Sequence, residues 1–145
     1  MFNPELEVPD LDLCRQLKQL HYPQEDGGWY WCIDTEISNK PFLVFVQGSF
    51  MPMYMAFYPK GYVYCLEPNY LNNYIKAPTN AELGNYLILQ NEAYYTVYSK
   101  QGYFCKSIDM NGLEDEYMWT LDKKEANARA KMLIWLAKNK CVKFL

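Results

Sequence analysis

The sequence has little of what most catalytic sites are built from. It contains one histidine, His21, and its five cysteines stand far apart with no C-x-x-C pair. No spacing matches a zinc or EF-hand site, and there is neither a Walker pattern nor a G-x-G-x-x-G motif. A Cys–His pair would require a cysteine to approach His21, which we expect to end a helix in the left-handed conformation. These absences disfavour metal, phosphate-loop and thiol chemistry, and they predict no cofactor.

Long apolar runs and an excess of basic residues are also missing. No stretch approaches the ~20 apolar residues that cross a bilayer, and the N-terminus shows no secretory signal pattern. The formal net charge of −3 provides no global basic footprint for duplex nucleic acid. An odd number of widely spaced cysteines is typical of reduced thiols. We therefore expect a cytoplasmic protein that binds neither membranes nor duplex nucleic acid.

Tyrosine is what the sequence has in surplus. The chain carries 14 Tyr, and aromatic residues make up 17% of it. Tyrosine joins a large apolar ring to a polar tip, so a surplus indicates a partly exposed aromatic sheet face or an interface. The length of 145 residues fits one domain, 1–145, that can bury a core.

Local signals predict about three helices. Two prolines within 1–9 favour an extended arm, and Asp10 is a candidate N-cap for the helix that follows. Thr79 and Glu82 have the spacing of a capping box at the start of a second helix. The closing helix is predicted over 122–139, with acidic residues at its start and lysines near its end.

The remaining segments alternate like strands and occur in hairpins. The stretch "AYYTVYS", the turn "KQG" and "YFCKSI" form one such pair. Strands joined in hairpins predict antiparallel pairing, whereas parallel strands would alternate with helices. We therefore predict an α+β fold: one largely antiparallel sheet of about five to seven strands, with helices packed mainly on one face.

The aromatic strands predict two different sheet faces. In "GWYWC", alternation places Trp29 and Trp31 on one face, with Tyr30 and Cys32 on the other. We expect the helices to cover the face rich in Val and Cys, which would place Val97 in the core. The Tyr-rich face would then be accessible, as a stacking platform for bases or a contact area for protein. The alternative is cross-strand aromatic pairing that only stabilises the sheet.

Acidic clusters are the second class of candidates. Paired carboxylates can carry general acid–base chemistry when their environments differ. The simpler interpretation places them in solvated turns, and a third makes "EDE" at 114–116 a surface for a basic protein partner. The candidate binding residues are Trp29, Trp31, Tyr54, Tyr58, Lys60, Tyr62, Tyr64, Glu114, Asp115 and Glu116.

Three stretches together resemble a family of small uncharacterised proteins of phages and prophages. "CRQLKQLHYPQ" with "WYW" is similar to a helix–"LGFPQ"–aromatic strand pattern. "APTNAELGNYL" resembles an "APT-x-x-EL" helix start, and "EANARAKMLIWLAKNK" resembles an "EADARAKMLIYLLEN" closing helix. The resemblance spans about Leu11 to Lys140. His21 replaces the usual glycine, and the insert between "WYWC" and "KAPT" is long and Tyr-rich.

The resemblance implies a phage-type setting in the host cell cytoplasm. Small phage proteins without catalytic motifs often act by binding, either inhibiting host defence enzymes or sequestering nucleotide signals. The leading hypothesis is a non-catalytic binding protein for a host protein or a small nucleotide-like ligand. The alternatives are an enzyme that uses carboxylate, Tyr and Lys groups, and a structural protein whose Tyr face forms a homo-oligomer.

Overall fold

The computed structural model describes residues 3–24, 27–50, 53–57, 63–66, 73–89, 93–108, 114–140 and 143–144. The helices of these ranges are α1 (Pro4–Glu7), α2 (Leu11–Gln19), α3 (Asn80–Leu89) and α4 (Glu125–Lys138). Their strands are β1 (Gly28–Cys32), β2 (Phe42–Phe50), β3 (Met53–Phe57), β4 (Val63–Leu66), β5 (Tyr74–Lys76), β6 (Ala93–Ser99), β7 (Gly102–Ile108) and β8 (Glu114–Asp122).

The strands form two antiparallel sheets. Sheet A has the order β4-β3-β2-β1-β5, and sheet B has the order β6-β7-β8. The α+β class and the antiparallel pairing are therefore confirmed, including the β6–β7 hairpin. A single sheet was expected, but α3 follows β5 in the chain. Its ten residues interrupt the series of strands, and β6 begins a separate sheet.

The helices do not pack on one face of a single sheet, because α2 and α4 together connect the two sheets. Helix α2 contacts β5 of sheet A and also α4, while α4 contacts β7 and β8 of sheet B. Helix α3 packs on α4 and β6. The largest core cluster is formed by the apolar side chains that these helices direct toward each other and toward sheet B. Its fully buried members include Leu17, Leu83, Met132, Leu133, Leu136 and Cys105.

Sheet A is packed on both faces around β1. Tyr30 and Cys32 are buried in one cluster with Val44, as alternation predicted. Trp29 and Trp31 lie on the opposite face, partly buried against a second cluster that includes Val8, Cys14, Leu43, Ile75 and Ala77. The tryptophan face is thus covered in part by α2 and the segment before it.

Sheet B corrects the predicted assignment of faces. Thr96 pairs in register with Cys105, so both lie on the same face, which α4 covers. Val97 pairs with Phe104 on the opposite face and remains 43% exposed. Val97 was expected in the core, but α4 packs where a cysteine and a hydrogen-bonding threonine lie. The chemistry of single residues could not identify that face.

The predicted helix ends were partly right. Asp10 is the N-cap of α2, and His21 has φ of 70° just after that helix, in the predicted left-handed conformation. The arm at 1–9 contains a single helical turn, because Pro4 is tolerated at the first helical position and Asn3 Oδ1 accepts a hydrogen bond from Glu5 N. Helix α4 begins at Glu125 rather than 122, since Asp122 still pairs with Tyr103 in sheet B.

Candidate interaction surface

Trp29 and Trp31 are candidate residues whose side chains the structure describes. The Trp29 ring packs edge-on against Phe45, with 5.3 Å between centroids. The Trp31 indole N–H donates a hydrogen bond of 3.1 Å to the carbonyl oxygen of Pro9. Both rings therefore already have intramolecular partners, and the segment before α2 covers part of their face.

The other candidates lie in three places. Tyr54 is on β3 in register with Leu66, and Tyr64 is on β4 in register with Ala56, so both are strand positions of sheet A. Glu114, Asp115 and Glu116 begin β8 of sheet B. Tyr58, Lys60 and Tyr62 lie outside the described residues. The aromatic and acidic candidates are thus distributed over two different sheets.

A different surface, on sheet B, exposes apolar side chains that lie next to one another. We call it the outer face, and define it as Val97, Phe104, Lys106, Trp119 and Leu121. Strand register groups these residues, because Val97, Phe104 and Leu121 pair across the sheet and Lys106 pairs with Trp119. The Trp119 side chain is 51% exposed, and its ring lies 5.6 Å from that of Phe104.

The other side of sheet B holds the outer face in place. Thr120 Oγ1 donates a hydrogen bond of 2.6 Å to the carbonyl oxygen of Ala128 in α4. Arg129 Nε donates to Thr96 Oγ1 at 3.1 Å, and the Arg129 guanidinium pairs with Glu125 at 2.8 Å. Neighbouring strand residues alternate between faces, so these contacts fix the backbone that presents Trp119 outward.

Sequence reasoning missed the outer face although its signal was present. The stretch "DEYMWTL" alternates like a strand, and this alternation sets Trp119 opposite Thr120. The candidate aromatic residues were instead two tryptophans of β1 and the more numerous tyrosines. Exposure of a large apolar side chain depends on where α4 packs, which the pattern of a single strand does not contain.

A second cluster surrounds a fully buried lysine. Lys76 Nζ forms an ion pair of 2.8 Å with Glu82 and donates a hydrogen bond to the Gly27 carbonyl. It also lies 5.3 Å from the centroid of the Tyr30 ring. Glu82 simultaneously completes the predicted capping box, accepting hydrogen bonds from the backbone N–H and hydroxyl of Thr79. The box is confirmed, and Lys76 connects it to the turn before β1.

The lysine cluster contains the residue types that an enzyme of carboxylate, Tyr and Lys groups would need. Its geometry is that of a structural centre. The Lys76 side chain is 0% exposed, and the Tyr30 hydroxyl donates a hydrogen bond of 2.6 Å to the Gln24 carbonyl. The Lys76 ammonium is thus shielded from solvent, while the Glu82 side chain remains 33% exposed.

A third polar cluster joins Asp10 to the start of α4. Lys124 Nζ forms an ion pair of 2.6 Å with Asp10, and Asn127 hydrogen-bonds both the backbone N–H and the carboxylate of Asp10. Partial burial alone would raise the pKa of Asp10, but these donors hold it below its usual value. Burial opposes the charge of Asp122 as well, yet hydrogen bonds from Lys131, the Lys124 backbone and Asn127 lower its pKa.

The described cysteines are not poised for nucleophilic chemistry. Cys14, Cys32 and Cys105 are all buried. Burial raises the pKa of the Cys14 and Cys105 thiols to about 12, so the reactive thiolate is disfavoured. His21 is exposed at the end of α2. Among the described residues, no group of His, Cys, Asp or Glu is arranged to hold a metal ion.

No helix within the described ranges is long and apolar enough to cross a bilayer, and α4 has 14 residues. Comparison of the chain with protein-family models, with curated proteins and with solved structures found no match.

Proposed function

We propose that the protein is a non-catalytic binding protein that contacts a protein partner through the outer face of sheet B. The observation that carries this proposal is the 51% exposure of Trp119 on a sheet whose other side is anchored by α4. Exposed tryptophans on a rigid support are the residues that most often dominate binding energy at protein interfaces. Lone exposed apolar residues are ordinary, but Trp119 stands beside Val97 and Phe104 on one face.

The shape of the surface favours a protein over a small molecule. Small ligands bind in concave sites that bury most of their surface, whereas the outer face is one side of a three-stranded sheet. The acidic stretch from Glu114 to Glu116 begins the strand that carries Trp119, and Lys106 is the register partner of Trp119. The partner expected from this arrangement has an apolar centre with a basic edge that faces the start of β8.

The resemblance to phage proteins supports a partner in the cytoplasm of a bacterial host. Inhibition of a host defence enzyme by protein contact is the role we propose. Sequestration of a nucleotide-like ligand is the competing role, because adjacent aromatic rings beside a lysine can also stack and neutralise a nucleotide. Homo-oligomerisation through the same face is the third, and an enzyme centred on Lys76 is disfavoured by the complete burial of its amine.

The size of the expected effect follows from Trp119. A large aromatic side chain contributes ~150–250 Å² of surface, so the exposed 51% of Trp119 amounts to roughly 100 Å². Burying that area at ~25 cal/mol per Å² contributes about 2.5 kcal/mol, or roughly 60-fold in Kd. Trp119→Ser should therefore weaken partner binding by one to two orders of magnitude.

The test compares Trp119→Ser with a matched control. Trp135 on α4 is also partly exposed, at 37%, and Trp135→Ser removes an equal side chain elsewhere. Each chain is immobilised to capture a host protein, and the affinity of each chain for that protein is then measured by calorimetry. The affinities for a panel of cyclic nucleotides are measured in the same way. We expect the Trp135 variant to bind normally and the Trp119 variant to lose affinity.

Three results would contradict this proposal. Equal loss in both variants would mean that Trp119 has no special role in the interface. Nucleotide binding that depends on Trp119 would assign the face to a small ligand. A dimer of the purified chain that Trp119→Ser dissociates, measured by sedimentation, would assign it to a second copy.

A further inference from the structure

The segment Asn3–Pro9, which we call the strap, connects parts of the fold that are far apart in sequence. At one end, Glu7 accepts a hydrogen bond of 3.3 Å from Asn80, at the start of α3. The carbonyl of Glu5 accepts a bond of 2.9 Å from Lys124, just before α4. At the other end the strap reaches β1 of sheet A, through the bond from Trp31 to Pro9.

One carbonyl oxygen of the strap accepts hydrogen bonds from two side-chain donors, an indole N–H and a thiol. The Pro9 carbonyl accepts the Trp31 indole N–H at 3.1 Å and the Cys14 thiol at 3.5 Å. Val8, adjacent to it, is 0% exposed and packs in the same cluster as Cys14. The strap therefore shields both the tryptophan face of sheet A and a buried thiol.

The strap is fastened by few apolar contacts. Helix α1 contributes no buried residue, and its Leu6 side chain is 61% exposed. A four-residue helix is not stable by itself, because helix nucleation is unfavourable. Val8 and Pro9 are the buried apolar anchors among the described strap residues, whereas the contacts of Glu5 and Glu7 are polar.

Opening of the strap differs from unfolding of the domain in what it exposes. Release requires the loss of the Val8 and Pro9 contacts and a few hydrogen bonds, whereas global unfolding exposes all three apolar clusters. Regions with few buried apolar contacts open at lower free energy than the core. We infer that the strap is a releasable cover, which opens while the rest of the fold persists and uncovers Trp31 and Cys14.

This device does not depend on the outer face of sheet B. In the closed state, the strap accepts the indole N–H of Trp31 and covers part of the surface that carries Trp29 and Trp31. In the open state, the indole N–H and the covered surface are exposed to solvent. The contact is thus autoinhibitory toward the tryptophan face, which is partly covered in the closed state and exposed further in the open state.

The experiment measures alkylation of single cysteines in the intact folded chain. Cys14 reports strap opening, and Cys105 reports global unfolding because it is 0% exposed in the core beside α4. In the wild-type chain we expect peptide-resolved mass spectrometry to show Cys14 alkylated at least tenfold faster than Cys105. Equal rates at several pH values and reagent concentrations would overturn the inference, since both thiols would then react only from the unfolded chain.

Substitutions in the strap test whether its contacts control the alkylation rate of Cys14. Val8→Ala removes part of the apolar anchor, and Glu7→Ala removes the carboxylate that accepts the hydrogen bond from Asn80. Each should accelerate alkylation of Cys14 severalfold and leave Cys105 unchanged. Leu6→Ser, at an exposed strap position, is the control and should alter neither rate. If Val8→Ala unfolds the chain, Cys105 reports it, and the wild-type ratio still decides.

Discussion

Replacing Glu82 by glutamine should destabilise the protein far more than loss of a helix cap alone would do. Glu82 accepts hydrogen bonds from Thr79 and forms the 2.8 Å ion pair with the fully buried Lys76. Glutamine retains an oxygen that can cap α3, but it removes the negative charge beside the ammonium. The perturbation therefore isolates the electrostatic part of this cluster.

The magnitude follows from comparing two losses. Removal of an N-terminal cap costs about 1 kcal/mol, which is the expected cost of Thr79→Ala. An uncompensated buried charge costs roughly 3–5 kcal/mol. Glu82 is 33% exposed, so water replaces part of the lost interaction, and we expect about 3 kcal/mol for Glu82→Gln.

A second substitution should recover most of that loss. Lys76→Met in the Glu82→Gln background removes the unpaired ammonium and fills its volume with an apolar side chain. Exchange of a buried ion pair for apolar residues is often neutral, although here the Gly27 carbonyl loses its donor, at about 1 kcal/mol. The double variant should thus be about 2 kcal/mol more stable than Glu82→Gln alone.

Urea denaturation followed by circular dichroism measures all four chains. The free energy of unfolding should fall in the order wild type, Thr79→Ala or the double variant, and Glu82→Gln, at constant m value. A Glu82→Gln loss equal to that of Thr79→Ala would refute the reasoning, because the charge at Lys76 would then carry no cost. Failure of Lys76→Met to restore stability would refute it independently.

Two further predictions concern acid and glycine. The pKa values of Asp10 and Asp122 are lowered by folding, so their stabilisation is complete above the ordinary value of 3.8 and is lost as pH falls through the folded values. The urea midpoint should decline below about pH 4, and Asp10→Asn should flatten that decline; an unchanged profile would contradict the assignment. Gly102→Ala should destabilise by more than 2 kcal/mol, roughly, because φ is 130° and a Cβ would lie 2.5 Å from the Asp122 carbonyl. Gly28→Ala should also lower the thermal stability, because φ is 100° and a Cβ would lie 2.6 Å from the buried, ion-paired Nζ of Lys76.

Features set by nearby residues were predictable. The Thr79–Glu82 box, the left-handed His21 and the β6–β7 hairpin all depend on neighbours within a few positions. The start of α4 was misplaced by three residues, because Asp122 has both an acidic helix-start signal and a place in sheet B. Local rules identify such elements but leave their ends open to tertiary competition.

The sequence did not predict which aromatic side chains are exposed. The surplus of aromatic residues indicated an exposed aromatic face, and that face stays a prediction as a binding surface. Trp31 was a candidate, but the strap occupies its indole N–H, whereas Trp119 was passed over and is half exposed. Which tryptophan is exposed depends on segments distant in sequence.

By itself the sequence determined most of the helices and strands and the antiparallel pairing, since these follow from short-range pattern. The tertiary structure alone decided that the strands form two sheets, which α2 and α4 connect. It also decided that Lys76 is buried against Glu82, and that α4 covers the Cys105 face so that Val97 and Trp119 face outward. Those outcomes depend on contacts between residues far apart in the chain, where packing, not local preference, selects the buried face.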